Sequence, residues 1–79
     1  MTTVRYFAAA AQAAGTEREE IPATTIGELR SAMVQRHGGE LAQVLARCAL
    51  LLNGQRTEDD SQPTLEVDQV DVLPPFAGG

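Results

Sequence analysis

The chain has no lysine: all six of its cations are arginines, against eleven carboxylates and a net charge of −5. That balance argues against nucleic-acid binding, which depends on Lys and Arg neutralising phosphates. It favours partners with a basic docking surface. Cysteine is nearly absent. A lone Cys48 excludes an internal disulfide and fits a reducing compartment. No apolar run approaches the ~20 residues that a membrane span requires, and the leucine-rich Ala49-Leu50-Leu51-Leu52 falls far short. Met1-Thr2-Thr3-Val4-Arg5 lacks the basic start and apolar stretch of a signal peptide. The expected location is the cytoplasm.

With 79 residues, one domain over 1–79 is expected. A domain this small buries about 60% of its unfolded surface. Little interior then remains for an enclosed active site of the usual ~300–1,000 Å³. Chemistry is therefore expected at an edge, at a tail or in a partner's pocket, with no complete active site in the chain itself.

Hydrophobic patterning supplies the elements. Val4-Arg5-Tyr6-Phe7 reads as an opening strand of β-branched and aromatic residues. Ala8 to Ala14 is alanine-rich and ends at Gly15, which predicts one or two helical turns. Glu17 to Ile21, ended by Pro22, reads as a short polar strand. Thr25-Ile26-Gly27-Glu28 has capping-box spacing, in which Thr25 and Glu28 satisfy each other's backbone N–H groups. Ile26, Leu29 and Met33, with Ala32 beside them, then form one apolar helix face until His37-Gly38-Gly39. A second short helical pattern follows in Leu41, Val44 and Leu45.

Ala49 to Leu52 is a strand, and Asn53-Gly54 is a strong hairpin signal. Glu58 to Pro63 reads as a solvated loop, with docking of a basic partner as the other reading of its acids. Val70 to Leu73 is the last strand, stopped by Pro74-Pro75 because proline has no N–H for a ladder. One main helix laid on one face of a sheet predicts a two-layer α+β fold. The first and last strands can lie side by side at its centre.

Beyond the last strand stands a tail over 74–79, Pro74-Pro75-Phe76-Ala77-Gly78-Gly79. Proline keeps a stem extended. A Gly-Gly end has no Cβ and passes down channels closed to other residues. Leu73, Pro74, Pro75 and Phe76 are the candidate partner-docking residues, Ala77 and Gly78 thread the channel, and the Gly79 carboxylate is the candidate reactive group. A carboxylate is a poor electrophile until activated, typically with ATP as an acyl-adenylate. Sulfur can then displace AMP to leave a nucleophilic thiocarboxylate. An activated end of this kind meets no internal lysine.

Taken together, Val4-Arg5-Tyr6-Phe7-Ala8, Ala13-Ala14-Gly15, the helix from Thr25, Leu52-Asn53-Gly54 and Leu73 to Gly79 resemble the MoaD/ThiS family of sulfur carriers. The resemblance covers essentially the whole chain. It implies a ubiquitin-like β-grasp with a mixed sheet and one main helix packed on one face. Length and the Leu-Pro-Pro stem look more like the small subunit of molybdopterin synthase than like the shorter thiazole carriers. The resemblance therefore implies that Gly79 is adenylated, becomes a thiocarboxylate, and supplies sulfur to a pterin precursor in molybdenum cofactor synthesis. The implied partners are a large synthase subunit, an E1-like adenylating enzyme that uses the ATP, and a sulfurtransferase. No cofactor or metal is expected on this chain. Two departures stand out: Glu66-Val67-Asp68-Gln69 has no glycine where the family has an acidic-glycine turn, and Phe76-Ala77 replaces a commoner valine-serine pair. Carriers for thiazole, cysteine or tRNA thiolation, a modifier joined to lysines through Gly79, and a plain interaction module with an inert tail remain as alternatives.

Other residues carry two readings each. Leu50 and Leu52, or else Leu51, would join Leu73 and Phe76 in a docking patch, or would form a small satellite core. Cys48 is a persulfide site or a small buried hydrophobe. His37 is expected to meet the last helix carbonyls.

Overall fold

The computed structural model describes residues 1–65 and 68–75. Among the described residues, five strands and three helices follow in the order β1 (Thr2–Tyr6), α1 (Ala9–Ala14), β2 (Arg18–Ile21), α2 (Ile26–His37), α3 (Gly39–Leu45), β3 (Ala49–Leu52), β4 (Gln55–Thr57) and β5 (Gln69–Leu73). They build one sheet in the order β2-β1-β5-β3-β4. β1 and β5 pair in parallel, while the other pairs are antiparallel. The fold is the ubiquitin-like β-grasp, with the first and last strands adjacent at the sheet centre as patterning predicted.

Alternation along the strands makes two unlike faces. Val4, Tyr6, Leu50, Val70 and Val72 point to the helices and are buried with Ile26, Leu29, Met33, Leu41 and Leu45. Each such aliphatic side chain contributes about 1.5–3 kcal/mol when fully buried. The residues that alternate with them along the strands, Thr3, Arg5, Ala49, Leu51, Gln69, Asp71 and Leu73, pair with one another and take the opposite face. No helix lies on that face among the described residues, and its members are only half-buried.

Local chemistry explains the turns. Asn53 and Gly54 have φ of 51° and 87°, the paired positive values that a two-residue hairpin loop needs to match strand twist. The loop closes on Leu52 opposite Gln55, so the hairpin partner is the short edge strand β4, a segment to which patterning had assigned no element. Gly15 ends α1 at φ 73°, its N–H donating to Ala11 O.

The start of α2 differs from a capping box. The Glu28 N–H does donate to Thr25 Oγ1 at 3.1 Å. The Glu28 carboxylate, however, accepts from the N–H and hydroxyl of Thr24, at 2.9 and 2.8 Å, one residue further back. The remaining N-terminal donors are met by the acidic loop. Ile26 N–H reaches Gln62 O and Gly27 N–H reaches Asp60 O, both at 2.9 Å. That loop is thus a cap for α2 as well as a solvated segment. A side chain at Gly27 would put its Cβ 3.1 Å from Asp60 O, which accounts for glycine there.

Candidate functional site

Strand β5 leads into the proline stem. Val70 and Val72 are buried and fix its register, with Val72 O accepting from Phe7 N–H at 3.2 Å. Leu73, on the other side of the pleat, is half-buried on the open face. Pro74 is buried and Pro75 exposed, so of the two expected docking prolines only Pro75 is open to solvent. The stem leaves the body one residue later than its sequence suggests. Beside it lies a cleft of about 400 Å³ lined by Ala9, Glu40, Gln43, Val44, Arg47 and the two prolines. The assignments to Phe76, Ala77, Gly78 and Gly79 fall outside the described residues.

The open face has a polar centre and apolar flanks. Arg5 donates Nε to Asp71 Oδ1 at 2.8 Å and Nη2 to Asp71 Oδ2 at 2.9 Å. Its guanidinium carbon stands 5.5 Å from the Phe7 ring centroid, within cation–π range. Leu51 lies opposite Asp71 and two positions along β3 from Ala49, which pairs with Leu73. The leucine strand is thereby resolved: Leu50 is core, Leu52 packs partly against the core, and Leu51 is the member on the open face. Leu51 and Leu73 share that face with Arg5 and Asp71, and it continues directly into the proline stem.

The remaining candidates settle elsewhere. Cys48 is half-buried, its thiol donating to Val44 O at 3.2 Å. Burial pushes its pKa up, and the nearby Arg30 pulls the other way only in part. A thiol held neutral in this manner is a weak nucleophile, so the structure favours the small-hydrophobe reading. His37 meets the Glu19 carboxylate across to β2, in place of its own helix's carbonyls. Glu19 also accepts from Tyr6 OH at 2.6 Å and from Arg36 Nη1 at 3.1 Å. Burial opposes its charge, but these hydrogen bonds prevail and hold its carboxyl below the usual range.

Patterning missed this cluster because its members lie on three elements. The same holds for Asp68. Its carboxylate accepts from Asn53 Nδ2 at 2.9 Å and from Leu65 N–H at 2.7 Å, and these contacts lower its pKa. Asp68 thus ties the hairpin turn to the approach of β5.

A β-grasp whose central last strand runs into a proline stem, beside an unroofed sheet face, is the architecture of small carrier and modifier proteins. The sequence model described as the ThiS family matches residues 4–79, and the chain belongs to that family. Among solved structures it is similar to a chain in the protein–protein complex of subunits 1 and 2 of molybdopterin-converting factor from Helicobacter pylori. Identity there is 31%, with 99% of this chain and 97% of that chain covered and a TM-score of 0.74. It is similar to SAMP1 from Haloferax volcanii, at 25% identity, 99% and 98% coverage and a TM-score of 0.78. The BexX/CysO complex of Amycolatopsis orientalis includes a chain of the same fold, at 19% identity, with both chains fully covered and a TM-score of 0.80. No curated protein sequence matches. Among the described residues, no helix is long and apolar enough to cross a membrane.

Proposed function

We propose that this chain is a sulfur carrier that delivers sulfur from a thiocarboxylate on Gly79 to a pterin precursor in molybdenum cofactor synthesis. The observation that carries this reading is the 31% identity, over 99% of the chain, to a protein of the molybdopterin-converting factor complex. An E1-like enzyme would use ATP to join AMP to the Gly79 carboxylate. The persulfide of a sulfurtransferase would then displace AMP to form an acyl disulfide, which a second thiol would cleave to leave the thiocarboxylate and a disulfide. The body acts as a handle: Leu51, Leu73, Pro75 and the Arg5–Asp71 pair offer a surface on which a large subunit or an adenylating enzyme can seat while the tail enters its active site. Half-buried apolar side chains beside a charged pair suit such docking.

The test is intact mass after incubation with ATP, a family adenylating enzyme and a sulfur donor. A gain of about 16 Da, one oxygen replaced by sulfur, is expected. Gly79→Ala should abolish it. No gain, under conditions that load an established carrier, would count against the reading. The pterin step is tested separately, by adding the loaded chain and a synthase large subunit to the precursor and measuring dithiolene formation.

A second reading, a protein modifier, is favoured by the likeness to a small archaeal modifier protein at 25% identity. Gly-Gly remnants on target lysines, dependent on Gly79, would support it.

A further inference from the structure

Half of the chain's cations meet at one small cleft. Arg30 comes from α2, Arg47 from the turn after α3 and Arg56 from β4. Together with Cys48, Thr57 and Glu58 they help to line a space of about 270 Å³. Three arginines and one glutamate are among the residues that line it, the opposite balance to that of the whole molecule, whose net charge is −5. Gathered like charges repel, and an anion placed among them relieves the repulsion.

The protein's own acids do this only in part. Arg30 donates through Nε to Asp60 Oδ1 at 3.3 Å, and Arg56 through Nη2 to Glu58 Oε1 at 3.2 Å. Each is a single-point contact that leaves most of a five-donor fork unused. Among the described residues, Arg47 forms no ion pair.

We propose that this cleft is an oxyanion site that takes a phosphate group, either as the free ion or on a small organic ester. The planar arginine fork matches the spacing of phosphate oxygens. Thr57 also lines the cleft and carries a hydroxyl that can donate. The neutral Cys48 thiol adds no competing negative charge. The volume lies just under the ~300 Å³ at which ligand pockets usually begin, and this sets the size of the ligand: inorganic phosphate, pyrophosphate or a short ester such as glycerol phosphate. The cleft shares Arg47 with the one beside the proline stem but includes neither proline, and the inference does not depend on sulfur transfer.

The test is ¹H–¹⁵N NMR of the intact chain titrated with inorganic phosphate, pyrophosphate and glycerol phosphate, with ionic strength held constant by chloride. Saturating shifts are expected at the Cys48 and Thr57 amides and at the Arg47 Nε–H. Arg47→Gln combined with Arg56→Gln should weaken binding at least about tenfold. Both arginines are exposed, so the thermal midpoint of the double variant should stay close to that of the parent. Glycerol phosphate binding more tightly than phosphate would assign an ester as the source, and equal binding would assign the free ion. Shifts that rise linearly and are reproduced by chloride overturn the proposal. So does a folded double variant that binds phosphate as the parent does.

Discussion

Arg5 and Asp71 face each other across the parallel pairing of β1 and β5, and the guanidinium grips both carboxylate oxygens. The pair occupies the middle of the open sheet face, with side-chain exposures of 42% and 15%. Ion pairs this open to water contribute little to folding. Under the proposed docked partner the same pair would be desolvated, and removing one member would then strand the other.

Asp71→Ala should therefore shift the thermal midpoint by no more than about 5 °C. It should weaken a partner that covers the sheet face by about tenfold or more, because Arg5 becomes a buried unpaired charge. Replacing both residues with leucine should recover part of that affinity. Isothermal titration against the adenylating enzyme checks this, and a double variant as weak as the single one would remove the pair from the interface.

The two faces of β3 should respond oppositely to charge. Leu50→Glu places a carboxylate in the core and should cost more than about 3 kcal/mol, enough to unfold much of a small domain. Leu51→Glu should stay within about 1 kcal/mol of the parent while weakening partner binding. Urea melts and a binding assay on both variants read the contrast directly.

Tyr6→Phe removes the hydroxyl that donates to Glu19. A buried bond to a charged acceptor is worth about 1.5–3 kcal/mol, and a loss of that order is expected at neutral pH. The pH dependence follows from the direction of the Glu19 shift. Its carboxyl titrates lower in the folded chain, so its stabilisation is present above the unfolded value near ~4.3 and is lost as pH falls through the folded value. Without the Tyr6 hydroxyl, the Glu19 pKa should rise toward the ordinary range and this acid-side loss should shrink. Carbon-detected NMR of the Glu19 carboxyl from about pH 2 to pH 6 spans the transition.

Ala8 sits at φ 51° and ψ −124° at the entrance to α1, in a turn closed by Ala10 N–H to Phe7 O at 3.0 Å. An alanine there is strained by about 1–3 kcal/mol, of which the greater freedom of glycine in the unfolded chain cancels about 0.4–1. Ala8→Gly should stabilise the protein by about 1 kcal/mol and raise the midpoint by about 4–8 °C. A lower midpoint would show that the turn does not hold Ala8 in that geometry.

Elements whose signals are local were legible before the structure. Gly15 marked the end of α1, Asn53-Gly54 marked the hairpin, and Ile26, Leu29 and Met33 marked the buried face of α2. Pairing at a distance was not legible. Glu19 takes partners from β1 and α2, and the loop carbonyls of Asp60 and Gln62 cap a helix more than thirty residues earlier in the chain. Alternation along Leu50, Leu51 and Leu52 offered two registers, and only pairing with β5 decided that Leu51 faces outward. Pro74 read as free stem because proline ends a ladder, yet packing keeps it buried.

The central place of β5 bears on what happens when the tail is drawn into a tight channel. Traction on the stem runs along β5, and the strand is laced on one side to β1 and on the other to β3. The load therefore falls on many ladder bonds at once, in shear, and does not peel them open one after another as it would at the rim of the sheet. A partner can tug on the last residues, distort them and let go without unravelling the body that carries them.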